Sequence, residues 1–200
     1  MSTAAITAEP VRSETSDRIL DAAYDRIAEH GLSRTTVEDV ARTAGLTRQT
    51  IYRYFPSKDD LVRALLLREE ERFLDGVRAA FATDPDLERA LADGMLFCVR
   101  FAREHPVLDR LLRTDAETAL PYLTTRAGPV LDRARDVLAA LIRRKAWVRP
   151  ALVEPVADLL VRAFISYTLT PPARPAEDVA ADLARIAAAA LARPKEAKRR

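Results

Sequence analysis

The stretch Thr36–Phe55, which reads TVEDVARTAGLTRQTIYRYF, constrains this chain more than any other. Thr36 opens a predicted helix, and Asp39 stands three residues later, where a capping-box partner belongs. Val37, Val40, Ala41 and Ala44 recur at helical spacing and give that helix an apolar face. Gly45 follows, where the chain must leave the helix with positive φ at little steric cost. Leu46 fits the angle between the helices, and Thr47 is a good N-cap for a second one. Ile51 and Phe55, four apart, hold that second helix down. Arg48, Gln49, Thr50, Tyr52, Arg53 and Tyr54 are left for its first turns and outer surface. Two short helices joined by a tight turn are the physical form of a helix-turn-helix. Its second helix is narrow enough for the DNA major groove, with its N-terminal residues against base edges.

The charge pattern agrees. From Ala41 to Lys58 there is no Asp or Glu, yet Arg42, Arg48, Arg53 and Lys58 are all present. A phosphate-facing surface needs this local segregation whatever the total charge. The net charge of +2 carries no such information, and acids and bases balance over the first 58 positions. By residue chemistry, Arg48, Gln49 and Thr50 are the candidates for base-edge contact, since Arg pairs bidentately with guanine and Gln with adenine.

The segment Tyr52-Arg53-Tyr54-Phe55-Pro56-Ser57-Lys58-Asp59-Asp60-Leu61 resembles the end of the recognition helix and the start of the next helix in TetR-family transcriptional regulators. Thr36-Val37, Val40-Ala41, Ala44-Gly45-Leu46-Thr47 and Ile51-Tyr52 fit the same pattern. The resemblance spans residues 17 to 62; beyond it the chain is similar only in length and helical character. It implies an all-α fold with a three-helix DNA-binding domain and a C-terminal helical bundle for ligand binding and dimerisation. The expected division is a disordered segment at 1–15, the DNA-binding domain at 16–60, the bundle at 61–192 and a basic tail at 193–200. By the same resemblance Tyr52, Tyr54 and Lys58 contact phosphate or sugar, with Tyr54 standing where the family often has His. Thr36 and Thr47 can add hydroxyl contacts, and Arg53 can serve bases or phosphates.

The rest of the chain reads as helices. One is predicted over Ser16–His30, with His30 as a C-terminal cap. Ser57 with Asp60 forms a second capping box, opening a long helix to Phe81 that belongs to both halves. Its Leu61 and Leu65 should pack on the DNA-binding part, while Val62, Leu66, Phe73, Val77 and Phe81 form a stripe for the remainder. The run Arg68–Arg72 reads as a solvated face. Asp84-Pro85 is a helix-start signature for a segment to Glu104. A short helix follows over Pro106–Thr114, and Pro121 should break Asp115–Gly128. Further helices are expected over Gly128–Trp147, Leu152–Leu169 and Ala176–Ala192. The alanines of the last one admit a close neighbour, so the final two helices suit either a two-fold interface or the chain's own core.

A ligand pocket in the bundle is what the resemblance implies. Met95, Phe97, Cys98, Phe101, Tyr122, Trp147, Phe164 and Tyr167 are its candidate walls, although for each one alone ordinary core packing is the commoner role. Arg100, Arg103 and His105 can supply polar contacts or lie on the surface. An apolar or aromatic effector suits such walls. The expected partners are therefore a double-stranded DNA operator, a small-molecule effector and a second copy of the chain. Repression relieved by the effector is the family's common pattern, and an effector-independent regulator is the alternative.

Composition argues against other classes. Five glycines include no phosphate-loop pattern, and two histidines with one cysteine cannot make an ordinary closed zinc site. Cys98 and His105 would stand about 10.5 Å apart along a helix, too far for a nucleophile–base pair. No enzyme, cofactor or metal site is expected. The single cysteine forbids an intrachain disulfide, and Met1–Pro10 lacks a signal-peptide pattern. The most apolar stretch, Leu152–Leu169, is interrupted by Glu154, Asp158 and Arg162, so no membrane span and a cytoplasmic location are expected.

Overall fold

The computed structural model describes residues 13–145 and 147–192, apart from the side chain of Tyr122. Residues 1–12 of the expected disordered segment, and the expected basic tail, lie outside the described residues. Ten helices are described: α1 (Glu14–His30), α2 (Val37–Ala44), α3 (Arg48–Tyr54), α4 (Lys58–Ala82), α5 (Leu87–Glu104), α6 (Pro106–Thr114), α7 (Ala116–Leu123), α8 (Gly128–Arg143), α9 (Pro150–Leu169) and α10 (Ala176–Leu191). Among the described residues there is no strand, only an isolated bridge between Val148 and Ala192.

The chain divides into two compact units. The first holds α1 to α3, α4 as far as Glu70, and the returning segment Pro106–Ala116 with α6. Its core joins Ile19, Leu20, Ala23 and Ile27 of α1 to Val40 and Ala41 of α2, Ile51 of α3, Leu61 and Leu65 of α4, and Val107 of α6. Ile51 is wholly buried, a placement worth about 1.5–3 kcal/mol for a side chain of this size. Leu61 and Leu65 pack where the sequence predicts.

The second unit holds the remainder of α4 together with α5 and α7 to α10. Its core is built from Phe81, Ala90, Leu91, Met95, Ile142, Val153, Leu160, Ala184 and Leu191 among others. The alanine face of α10 is used inside the chain: Ala180, Ala184 and Ala187 are buried, and α10 packs most extensively on α5, where Ala90 is also fully buried. Small side chains on both helices are what allow this close approach.

Several boundaries differ from the sequence-based expectation. α1 starts at Glu14, because Ser13 and Ser16 cap one another (Ser16 N to Ser13 Oγ 3.1 Å, Ser13 N to Ser16 Oγ 3.0 Å). Residues 13–15 are thus part of an ordered helix start, not of a disordered segment. α5 starts at Leu87, not Pro85, because Asp84 accepts the Asp86 amide in a local turn and Asp86 caps Arg89 N at 3.0 Å. Pro121 lies inside α7. A helix this short forgoes only one backbone bond there. α8 stops at Arg143, and α9 begins two residues early with Pro150 at its first position, which suits a missing N–H. Leu66 is exposed, whereas Leu74, absent from the predicted stripe, is buried. Arg68 and Glu69 are not a solvated pair: their side chains are 13% and 12% exposed and bond one another at 3.2 Å, with Arg68 also reaching Asp21 at 2.8 Å.

Candidate nucleic-acid interface

The α2–α3 pair is shaped by local hydrogen bonds that the sequence anticipates. Thr36 Oγ1 accepts from Asp39 N at 3.2 Å, and Asp39 Oδ2 accepts from Thr36 N at 3.2 Å. Asp39 is also bonded by the Thr36 hydroxyl at 2.6 Å and by Arg42 at 2.6 Å. Those bonds, the Thr36 hydroxyl first, hold the Asp39 carboxyl below its ordinary pKa. Gly45 takes φ 63° and ψ 35°, and the turn closes with Gly45 N to Arg42 O at 3.2 Å and Leu46 N to Ala41 O at 2.9 Å. Arg18 of α1 caps the end of α2 by donating to Ala44 O at 2.8 Å. Thr47 then caps α3, accepting from Thr50 N at 3.1 Å.

With Ile51 buried, the rest of α3 is presented outward. Arg48, Gln49, Tyr52 and Arg53 are exposed, while Thr50 and Tyr54 are half-buried. Arg48 donates to the Tyr52 hydroxyl at 3.2 Å and lies over its ring. That hydrogen bond raises the guanidinium pKa further, so the charge is fixed at any working pH. Arg53 sits over the Tyr54 ring, 5.5 Å from its centroid. The Thr15 side chain, first, and that of Ser13, at the start of α1, lower the Tyr54 phenol pKa from its ordinary value.

Thr36 and Lys58, two of the expected contacts, are engaged outside α3. The Thr36 O–H is committed to Asp39, so a phosphate oxygen would have to displace it. Lys58 Nζ donates to Leu32 O at 3.0 Å in the turn before α2. Sequence reasoning missed the carboxylate in that turn: Asp115 accepts from Leu32 N at 3.1 Å and from Ser33 N at 3.0 Å. A contact more than 80 positions away has no local signature.

In the second unit the predicted pocket walls separate. Phe97, Phe101 and Phe164 gather around Phe73, with centroid distances of 6.0, 4.9 and 5.2 Å. The sequence places Phe73 only on the general stripe of α4. Phe97 lies directly against Gly76, where a Cβ would collide with its ring. Met95 and Cys98 are buried, and Tyr167 is half-buried. Burial pushes the Cys98 thiol up to about 12, so it is an inert apolar group at neutral pH. Trp147 is not a wall: it is 79% exposed, in a left-handed backbone conformation with φ 69° between α8 and α9. The side chain of Tyr122 lies outside the described residues. Arg100 bonds Glu177 at 2.7 Å on the surface, Arg103 reaches Pro172 O at 3.4 Å, and His105 packs on Phe101 at 4.6 Å. Among the described residues no three His, Cys, Asp or Glu side chains are grouped to hold a metal, and no helix is long and apolar enough to cross a membrane.

Comparison with known proteins agrees with this architecture. Residues 19–65 match the profile of bacterial regulatory proteins of the tetR family, and residues 86–189 match the tetracyclin repressor C-terminal domain. The chain is 34% identical over 184 residues to the HTH-type transcriptional regulator AlkX of Mycobacterium tuberculosis, covering 90% of this chain and 86% of that protein. It is 28% identical over 138 residues to RutR of Escherichia coli K12, covering 69% of this chain and 64% of that one. The TetR family repressor AlkX from Dietzia sp., implicated in biodegradation of n-alkanes, superposes with a TM-score of 0.69 at 26% identity, covering 91% of this chain and 96% of that one. FadR of Bacillus subtilis in complex with stearoyl-CoA shares the fold, with a TM-score of 0.60 at 16% identity, covering 88% and 98% of the two chains. Helix-turn-helix geometry, two matching domain profiles and a relative aligned over most of both chains lead to one conclusion: this chain belongs to the TetR family of DNA-binding bacterial transcriptional regulators.

Proposed function

We propose that the chain is a repressor that binds a palindromic operator as a homodimer and is released by a small, largely apolar effector held in the C-terminal bundle. The observation that carries the first part is α3 itself: Arg48 and Gln49 are exposed at its N-terminal end, in a stretch of sequence without Asp or Glu from Ala41 to Lys58, with Ile51 anchoring the opposite face. Arg48, Gln49 and Thr50 read base edges. Tyr52, Arg53, Tyr54 and Lys58, with Thr36 and Thr47, fix the register on the phosphates.

Dimerisation is supported by apolar side chains that the chain leaves uncovered on its last two helices. Leu159 of α9 is 60% exposed and Ile186 of α10 is 58% exposed. A palindromic operator requires two α3 helices, one from each copy, at half-sites one helical turn, about 34–36 Å, apart.

An apolar effector is supported by the rings of Phe73, Phe97, Phe101 and Phe164 in the bundle. The Dietzia relative's link to n-alkane biodegradation and the stearoyl-CoA bound by Bacillus subtilis FadR point to chains of methylene groups. Release follows if the effector binds one conformer of the dimer better than the operator-bound one. The test is a titration of n-alkanes, fatty acids and acyl-CoAs against the protein on DNA selected from a random pool. The expected result is release by at least one of them. A compound that binds the bundle and leaves operator affinity unchanged defeats the switch and leaves an effector-independent regulator.

A further inference from the structure

We propose that Asp115 is a positioning residue for operator binding: its carboxylate locks the Gly31–Leu32–Ser33 turn and so sets the direction in which α2 and α3 leave α1. This rests on the DNA-binding role of α3. Asp115 follows α6 and is 6% exposed, with Ser16 and Thr35 one of three buried polar side chains among the described residues. Its two oxygens divide the turn between them. Oδ2 accepts from Leu32 N at 3.1 Å and Thr114 Oγ1 at 2.7 Å; Oδ1 accepts from Ser33 N at 3.0 Å and from the Ser33 hydroxyl. Two successive backbone N–H groups converging on one anion form a nest, here filled by the protein's own side chain.

The turn is cut to receive it. Gly31 has φ 85°, and a Cβ there would stand 2.7 Å from Thr114 Oγ1 and 2.8 Å from Asp115 Oδ2. Lys58 holds the Leu32 carbonyl at 3.0 Å, and Thr35 Oγ1 donates to Gly31 O at 2.8 Å. The peptide of Leu32 is therefore fixed at its N–H by Asp115 and at its carbonyl by Lys58. Without Asp115 the N–H groups of Leu32 and Ser33 would lose the acceptor they share. Burial by itself would raise the Asp115 pKa; the bonds from Ser33, Thr114 and Leu32 outweigh it, so the carboxylate stays charged. Charge-assisted bonds of this kind are the strong ones. A few degrees of freedom in this turn would swing Arg48 and Gln49 off the base edges, while leaving the cationic surface that attracts any duplex.

The test uses the full-length protein. Wild type selects a duplex from a random pool, and wild type, D115A and D115N are titrated at one salt concentration against that duplex and a scrambled one. Stoichiometric titration fixes the active fraction of each. D115A is expected to bind the selected duplex about tenfold more weakly or worse and the scrambled duplex within about twofold of wild type. D115N, which keeps the shape and one acceptor oxygen, should fall between them. Unchanged affinity for the selected duplex, or an equal fall on both duplexes, overturns the proposal. If D115A does not fold, D115N decides by the same ratio. Failure of wild type to select any duplex would sink the DNA-binding reading itself, a separate outcome.

Discussion

The Arg48 guanidinium carbon lies 5.3 Å from the centroid of the Tyr52 ring, and Arg48 Nη2 donates to the Tyr52 hydroxyl at 3.2 Å. One helical turn separates the two residues, so the ring supports the cation on the outer face of α3. A long side chain held in place loses less freedom on binding. Tyr52→Phe keeps that support and removes the hydroxyl. It should weaken binding to all duplexes by about three- to tenfold, the worth of one hydrogen bond, with base preference retained. Tyr52→Ala should also blunt the preference. Titration at matched salt on selected and scrambled duplexes separates the two effects.

Two glycines are set at positive φ for different reasons. Gly45 at 63° has only Arg18 Nη2 near its missing Cβ, at 3.7 Å, an ordinary contact. Gly45→Ala should therefore cost only the left-handed backbone, about 1–2 kcal/mol. Gly31→Ala meets a larger conformational cost, since φ 85° with ψ 164° is a backbone region essentially restricted to glycine, and it also meets the Thr114 and Asp115 oxygens. Urea unfolding should rank Gly31→Ala as the more destabilising change.

The Asp115 carboxylate gives stability a defined pH dependence. Its folded pKa lies below the ordinary 3.8. Its contribution is thus complete above that value and is lost as pH falls through the lower folded pKa. The difference in unfolding free energy between wild type and D115N should stay constant from neutral pH to about pH 5 and shrink below the ordinary carboxylate range. Chemical denaturation across that range measures it. A difference that grows on acidification would contradict the hydrogen-bond pattern.

Leu159 and Ile186 offer a direct test of assembly. Replacing both with Glu should shift sedimentation from dimer to monomer while leaving helicity by circular dichroism unchanged, since neither belongs to the buried core. Operator affinity should fall with it, because each half-site alone receives only one α3.

What the sequence could and could not reveal follows from the range of the interactions. Thr36, Asp39, Gly45, Thr47, Ser57 and Asp60 act within three or four positions, and each sits in the structure as its spacing predicts. The α10 alanines marked a close helix contact correctly, but only the structure identifies α5 as the partner. Asp115 and the grouping of Phe73 with Phe97, Phe101 and Phe164 depend on pairings between distant segments. No local periodicity encodes those. Trp147 misled because aromatic residues are usually buried to a large degree, and here the backbone turns it outward.

The most direct measurement is the base-resolved binding profile of the full-length protein on a randomised duplex library, compared with Arg48→Ala and Gln49→Ala at the same salt. Wild type should select two inverted half-sites about 10 base pairs apart, centre to centre. Each substitution should erase preference at one position in both half-sites, worth about 1–3 kcal/mol, while the remaining positions and the salt slope hold. Profiles identical to wild type for both variants would contradict base reading by the N-terminal end of α3.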